Sequence, residues 1–240
     1  MKRKIGHFKN SIANLELHDR MLRENTLILA EPGSGKTHLA NKIREFIIAS
    51  GMPTLYLDFS DPEVDQIEER FKHGSDFHYM RFDESDAFNE ALDQAIAERQ
   101  NIYMAVNPSY FASKREIKSK LSQMIQKREL MDNYYYFMQD ISNVEGFHKK
   151  FEDFIFYIFD LVNLKKCGLT FLSQPLEIFE NPRIKLIFSF LFVGRCSNAY
   201  YYNTTVLRNM KPNTFLYQYR VDNRSLLFNN IQSDIVMIDA

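Results

Sequence analysis

The chain has 240 residues, which is enough for one substantial α/β domain or two small ones. Its composition, 45% hydrophobic and 25% charged, is typical of soluble globular proteins. The net charge of −1 excludes a global basic field, so any binding of nucleic acid must come from a local patch.

The N-terminal residues are basic, but no apolar stretch of a signal peptide follows them. Residues 1–24 mix charges with scattered apolar residues and are predicted to be an irregular or partly helical lead-in. The most apolar run, residues 186–193, is too short to cross a bilayer as a helix. Cys167 and Cys196 form no metal or redox motif, so we expect reduced thiols in an intracellular protein.

The most informative motif begins at residue 30. The short apolar run over residues 25–29 predicts a buried strand, and apolar residues at helical spacing over 38–50 predict a helix that ends at Gly51. The sequence between them, A-E-P-G-S-G-K-T, matches the phosphate-binding P-loop (Walker A), with alanine in the first glycine position. The predicted nucleotide-binding residues are Ala30, Glu31, Pro32, Gly33, Ser34, Gly35, Lys36, Thr37 and His38.

These residue types suit the binding of ATP with Mg²⁺. Gly33 and Gly35 allow the backbone to turn its N–H groups inward toward an anion, and the helix N-terminus adds the positive end of its dipole. Lys36 can reach the β- and γ-phosphates, and the hydroxyl of Thr37 can bind Mg²⁺.

Strands and helices alternate along the rest of the chain. Strands are predicted over residues 54–58, 77–82, 102–106, 134–138, 169–173, 186–193, 214–221 and 225–228. Helices are predicted over residues 63–72, 86–99, 114–130 and 147–166. This alternation predicts an α/β fold with a mainly parallel sheet between helices, and the last two strands predict an antiparallel edge.

Several polar residues follow the predicted strands, so the topology places them at one edge of the sheet, where such sheets bind ligands. They are Lys36, Thr37, Asp58, Asp140 and Gln174. Gln174 would lie beside the P-loop and sense the γ-phosphate.

Asp140 is the predicted second acidic group, and two alignments of its strand are possible. In the first, which we favour, Asp140 is the Mg²⁺ carboxylate and Ile141 replaces the usual catalytic Glu. The base must then come from elsewhere, and Glu145 and Asp58 are the nearest candidates. In the second, Gln139 takes the Mg²⁺-side position and Asp140 activates the attacking water.

The order of these motifs resembles the FtsK/HerA superfamily of hexameric DNA-pumping ATPases, and most of all the genome-packaging ATPases of internal-membrane double-stranded DNA viruses. The resemblance covers about residues 25–195. It implies a RecA-like P-loop NTPase domain over 25–240, a ring of subunits, ATP with Mg²⁺, and translocation of duplex DNA. It also implies a host-cytoplasmic or virion location, with viral membrane or capsid-vertex proteins as further partners.

By position in that family, Lys36 and Thr37 would contact the nucleotide, Asp140 would be the second acidic motif and Gln174 the strand-end glutamine. Ring ATPases complete the site with an arginine from the neighbouring subunit. Arg195 is our first candidate for that arginine and Arg183 the second.

The most basic segment is predicted to contact DNA phosphates from a pore-facing loop, and it follows the aromatic pair Tyr110 and Phe111. Its cations are Lys114, Arg115, Lys118, Lys120, Lys127 and Arg128. A solvated helix face is the alternative interpretation of the same residues.

Three other functions remain open on the sequence. One is a motor for filamentous-phage assembly or conjugation. Another is a small-molecule kinase, although no arginine-rich lid is evident. The last is a nucleotide-gated adaptor that does not hydrolyse ATP, which the irregular second acidic motif would suit.

Overall fold

The computed structural model describes residues 2–9, 13–60, 62, 77–83, 85–107, 119–120, 122–125, 132–143, 151–164, 167–176, 179, 181–197, 204–220 and 231–239. Its strands are β1 (Lys2–Phe8), β2 (Asn14–His18), β3 (Thr26–Leu29), β4 (Thr54–Asp58), β5 (His78–Arg81), β6 (Ile102–Ala105), β7 (Tyr135–Gln139), β8 (Leu169–Ser173), β9 (Phe190–Val193), β10 (Thr214–Arg220) and β11 (Ile231–Ile238). Its helices are α1 (Lys36–Ala49), α2 (Asp86–Ala97), α3 (Phe151–Leu164), α4 (Pro182–Ile187) and α5 (Thr204–Arg208).

The chain divides into two compact units, residues 1–46 with 170–240 and residues 47–169. In the first unit the strand order is β2-β1-β11-β10-β9-β3-β8. Strand β3, between β9 and β8, is buried along its whole length and runs parallel to both. The pairs β9–β10, β10–β11, β11–β1 and β1–β2 are antiparallel. A parallel core strand therefore precedes the P-loop, and antiparallel strands extend the sheet on one side.

The second unit contains the parallel strands β7-β4-β6-β5 in that order. The runs TLYLD and YYFMQ in β4 and β7 are buried at every position, as expected for strands covered on both faces. Ser85 caps α2 by accepting a hydrogen bond from the Phe88 amide at 3.2 Å. The pairing of β4 with β7 sets Asp58 opposite Gln139 at the C-terminal ends of the two strands.

The predicted α/β class, with a mainly parallel sheet, flanking helices and antiparallel strands near the C-terminus, is confirmed. The irregular or partly helical lead-in is wrong, because β1 and β2 form a hairpin that joins the sheet through β11. Exposed polar residues alternate there with buried Ile5, Leu15 and Leu17, and the charges obscure that period.

Other predicted elements differ at their ends. The predicted strand 186–193 begins only at Phe190, because the first residues of that run finish α4. β11 was not predicted, and the predicted strand 225–228 lies outside the described residues, as do the helix 63–72 and most of 114–130. Within the described part of the chain, both cysteines are buried free thiols and no helix has the length and apolarity to cross a membrane.

Candidate nucleotide-binding site

The P-loop connects β3 to α1, as the sequence predicts. Gly33 and Gly35 have φ angles of +73° and +92°, in the left-handed region that glycine enters without strain. The ammonium of Lys36 folds back over the loop and donates to the Ala30 carbonyl at 2.6 Å. The loop thus has the glycine-dependent curve, and the lysine at its mouth, that phosphate binding requires.

Backbone hydrogen bonds join both sides of the loop to the ends of the neighbouring strands. The Ala30 amide donates to the Ser173 carbonyl at 3.2 Å, and the Glu31 amide donates to the Arg195 carbonyl at 2.9 Å. Because Gln174 directly follows Ser173, Gln174 lies beside the loop. Arg195 also lies beside the loop, through its carbonyl bond to the Glu31 amide. The side chain of Gln174 is exposed.

Glu31 forms a polar cluster with residues that follow β9. Its carboxylate accepts hydrogen bonds from the Ser197 amide at 2.6 Å and from the Ser197 hydroxyl, and it lies 3.6 Å from Arg195 Nε. These Ser197 bonds, with smaller contributions from Arg195 and Lys36, hold the pKa of Glu31 below its usual range. Arg195 Nη2 also donates to the Pro32 carbonyl at 3.1 Å, so Arg195 is fixed against the loop of its own chain.

Asn213, in the turn before β10, contacts the loop from another side. Its amide donates to the Ser34 carbonyl at 3.0 Å. Its side-chain oxygen lies only 2.0 Å from the position that a Cβ atom on Gly35 would occupy. Nothing in the local sequence around residue 213 signals this contact.

The start of α1 is connected to the first and last strands through Asp239. His38 Nε2 donates to the Asp239 carbonyl at 2.8 Å, and the Asp239 amide donates to the Ile5 carbonyl at 2.9 Å. The Asp239 carboxylate lies 3.3 Å from His7 Nδ1 and 3.6 Å from Lys4 Nζ. The helix that carries Lys36 and Thr37 is therefore held by the β1–β11 pair.

The second unit carries the predicted acidic groups. The carboxylate of Asp58 is fully buried and accepts from the Tyr103 hydroxyl at 2.5 Å, the Ser60 hydroxyl at 2.6 Å and the Ser60 amide at 2.8 Å. This arrangement fits a structural carboxylate that holds the end of β4, and it does not favour Asp58 as the base that activates water.

Gln139 is the last residue of β7, and Asp140 follows it with a φ of +52°. The Tyr56 hydroxyl donates to Gln139 Oε1 at 2.6 Å, and Gln139 Nε2 lies 3.3 Å from Asp140 Oδ2. The ring of Tyr56 stacks on Tyr103 and Phe137, with centroids 5.0 and 5.3 Å apart. The stacked Tyr56 ring therefore fixes the orientation of the Gln139 side-chain amide, and that amide contacts the Asp140 carboxylate.

The first unit brings together the P-loop residues Ala30 to His38, Gln174 and Arg195, while Asp140 belongs to the second unit. Arg183 lies exposed on α4. Glu145 lies outside the described residues. Of the candidates for DNA contact, only Lys120 lies inside, and the others lie outside: Lys114, Arg115, Lys118, Lys127 and Arg128. Sequence reasoning did not find Ser197, Asn213, Asp239 or Tyr56, because each acts across a large sequence separation.

The loop residues fit a nucleotide phosphate. Both glycines adopt positive φ, the Lys36 ammonium lies at the loop, and Ser34 Oγ is buried with no hydrogen-bond partner among the described residues. No group of three or more His, Cys, Asp or Glu that would hold a metal occurs in that described part. The Thr37 hydroxyl, at the start of α1, would be a ligand of Mg²⁺ together with the phosphates.

Solved structures of ATPases share the fold. VirB4 of Thermoanaerobacter pseudethanolicus superimposes with a TM-score of 0.60 at 11% identity, over 99% of this chain and 96% of that chain. The genome-packaging NTPase B204 of Sulfolobus turreted icosahedral virus 2, in complex with ATPγS, gives 0.53 at 12% identity, over 88% and 96%. The cytoplasmic domain of the type VII secretion ATPase EccC of Thermomonospora curvata gives 0.53 at 13% identity.

The match to EccC covers 99% of this chain but only 26% of that chain. No protein-family model matches the sequence, and no curated protein sequence matches it significantly. The structural likeness confirms the predicted RecA-like P-loop fold, which this chain shares with the genome-packaging NTPase B204 and with VirB4.

Proposed function

We propose that the protein is an ATP-driven translocase of double-stranded DNA that acts as a viral genome-packaging motor. The observation that carries the proposal is the P-loop itself, with its two left-handed glycines and the Lys36 ammonium at the loop. The fold shared with the packaging NTPase B204 over most of both chains supports the choice of motor.

In this proposal the loop amides and Lys36 bind the β- and γ-phosphates of ATP, and the Thr37 hydroxyl would hold Mg²⁺. The ion would neutralise charge on the phosphates. Gln174 and Arg195, beside the loop, contact the γ-phosphate as charge develops in the transition state. The subunits form a ring, and viral membrane or capsid-vertex proteins anchor it.

Asp140 acts in this proposal as the base that activates the attacking water. It is the residue that follows the last strand position, and Gln139, with its amide engaged by Tyr56, occupies that last position. This is the second of the two alignments that the sequence permits. In this alignment Gln139 takes the Mg²⁺-side position.

ATP hydrolysis with and without duplex DNA tests the proposal. We expect the wild type to hydrolyse ATP faster when DNA is added, and Lys36→Ala to abolish hydrolysis. Lys42→Ala, on the same helix but outside the loop, is the matched control and should behave as wild type. Hydrolysis that ignores both DNA and Lys36 would contradict the proposal.

Substitutions in the basic segment test separately whether the protein binds DNA. We expect the combined change Lys114→Ala, Arg115→Ala and Lys118→Ala to remove the stimulation by DNA and to leave basal hydrolysis intact. A solvated helix face would give no change in either rate.

A second candidate is a motor for a polymer other than viral DNA. The likeness to EccC, a secretion ATPase, favours it, and a conjugation or phage-assembly motor belongs to the same class. ATP hydrolysis that depends on Lys36 but not on duplex DNA would favour this candidate.

A further inference from the structure

Asn213 contacts the P-loop through its backbone and its side chain. Its amide donates to the Ser34 carbonyl at 3.0 Å, and its own carbonyl accepts from the Ile238 amide at 2.8 Å. The residue thus bridges the loop to the last strand of the sheet.

The side chain of Asn213 occupies the space beside Gly35. A Cβ atom on Gly35 would lie 2.0 Å from Asn213 Oδ1 and 3.1 Å from Asn213 Cγ. Gly35 is therefore required twice, for its φ of +92° and for the room that Asn213 takes. Asn213 itself has a φ of +59°, in a region that asparagine tolerates better than most residues.

From this packing we propose that Asn213 is a positioning residue for nucleotide binding, which holds the P-loop in its phosphate-binding curve before the nucleotide arrives. A loop that is already ordered loses less conformational entropy on binding, so affinity increases. The inference rests on the proposed nucleotide binding, but it does not depend on hydrolysis or on DNA.

Asn213→Gly tests the role of the side chain apart from that of the backbone. Glycine can keep the left-handed conformation and the backbone N–H, but it removes the side-chain carboxamide. Asn133, with a φ of +71° in the turn before β7, offers the matched control, Asn133→Gly. We expect Asn213→Gly to raise the dissociation constant of a fluorescent N-methylanthraniloyl-ATP about tenfold. Asn133→Gly should leave that constant unchanged, and the two variants should melt alike without nucleotide.

Asn213→Asp adds a test that distinguishes a local effect on nucleotide binding from a general loss of stability. Aspartate keeps the shape of asparagine but places a negative charge beside a loop that binds an anion. We expect its affinity, relative to wild type at the same ionic strength, to recover at high salt. The relative affinity of Asn213→Gly should not recover.

Equal affinities of wild type and Asn213→Gly would overturn this inference, whatever the rate of hydrolysis. Weaker binding by Asn213→Gly in a protein that does not hydrolyse ATP would support the inference and overturn the proposed motor. A wild type that does not bind the fluorescent nucleotide would overturn both.

Discussion

The methyl group of Ala30 fills the space that a side chain at residue 194 would need. A Cβ atom on Gly194 would lie 2.8 Å from the Ala30 Cβ and 3.0 Å from Phe215 Cε1. Contacts this short are not tolerated in a close-packed interior, so the two positions can hold only one methyl group between them. The alanine that replaces the first glycine of the P-loop motif is therefore matched by a glycine after β9.

This pair predicts a compensating double substitution. Gly194→Ala should destabilise the protein by about 1–3 kcal/mol through overpacking. Adding Ala30→Gly removes the shortest contact and should recover part of that loss. The free energies of unfolding of both single variants and the double variant, measured in urea, complete a double-mutant cycle. Strictly additive effects would contradict the packing relationship.

Asp140→Asn should lower the rate of ATP hydrolysis about 100-fold or more, because the amide cannot accept a proton from the attacking water. The dissociation constant for ATP and the Mg²⁺ concentration that gives half-maximal hydrolysis should not change. Asp160→Asn, an exposed position on α3, is the control and should keep full activity. A large rise in the Mg²⁺ requirement of Asp140→Asn would instead make Asp140 the metal carboxylate.

Arg195 should act within its own subunit, since it contacts Glu31 and the Pro32 carbonyl of its own loop. We expect Arg195→Ala to lower hydrolysis about 100-fold, and an equimolar mixture of Arg195→Ala with Lys36→Ala subunits to stay inactive. Activity restored by mixing would require an Arg195 that reaches into the neighbouring site. Arg183→Ala tested in the same mixture checks the second candidate for that arginine.

Removing the hydroxyl group from two buried tyrosines should change the free energy of unfolding in opposite directions. The Tyr136 hydroxyl has no hydrogen-bond partner among the described residues, so Tyr136→Phe should stabilise the protein by about 1 kcal/mol. Tyr56→Phe leaves Gln139 Oε1 without its 2.6 Å donor and should cost about 1–2 kcal/mol. Chemical unfolding of both variants measures the difference, and a destabilised Tyr136→Phe would contradict the packing.

Stability should fall in alkaline solution. Burial raises the pKa of Tyr134 from 10.0 to about 12, and burial raises the pKa values of Tyr136 and Tyr217 further. The unfolded chain loses these protons first, so the stabilisation is complete below pH 10 and decreases as pH rises toward the folded pKa values. The circular dichroism signal of the folded protein should therefore be lost as these three buried tyrosines ionise above that pH. Ionisation of all 13 tyrosines with that signal unchanged would contradict this.

The P-loop and its flanking elements could be predicted because all of the signals are local. A buried strand, two glycines, a lysine and an amphipathic helix follow one another within residues 25–50, and each residue type has one conformational reason to be there. The alternation of strands and helices likewise predicts the parallel core. The structure contains both the strand–loop–helix unit and the parallel strands that these local patterns predict.

The rest of the site depends on pairs of residues that are far apart in sequence. The sequence does not predict the contact of Ser197 with Glu31 or that of Asn213 with Gly35. Serine and asparagine are common in loops, so their presence does not indicate a particular partner. The N-terminal hairpin was missed because Ile5, Leu15 and Leu17 are separated by charged and polar residues, which look like a solvated segment without the partner strand β11.

The support of the loop by Asn213 and Asp239 also sets an order of events during synthesis. The hydrogen bond between His38 and Asp239 spans 201 residues. A chain made from its N-terminus exposes the complete P-loop sequence long before the residues that support the loop leave the ribosome. The contacts that Asn213 makes with the loop and that Asp239 makes with His38 therefore form only after both residues have been synthesised.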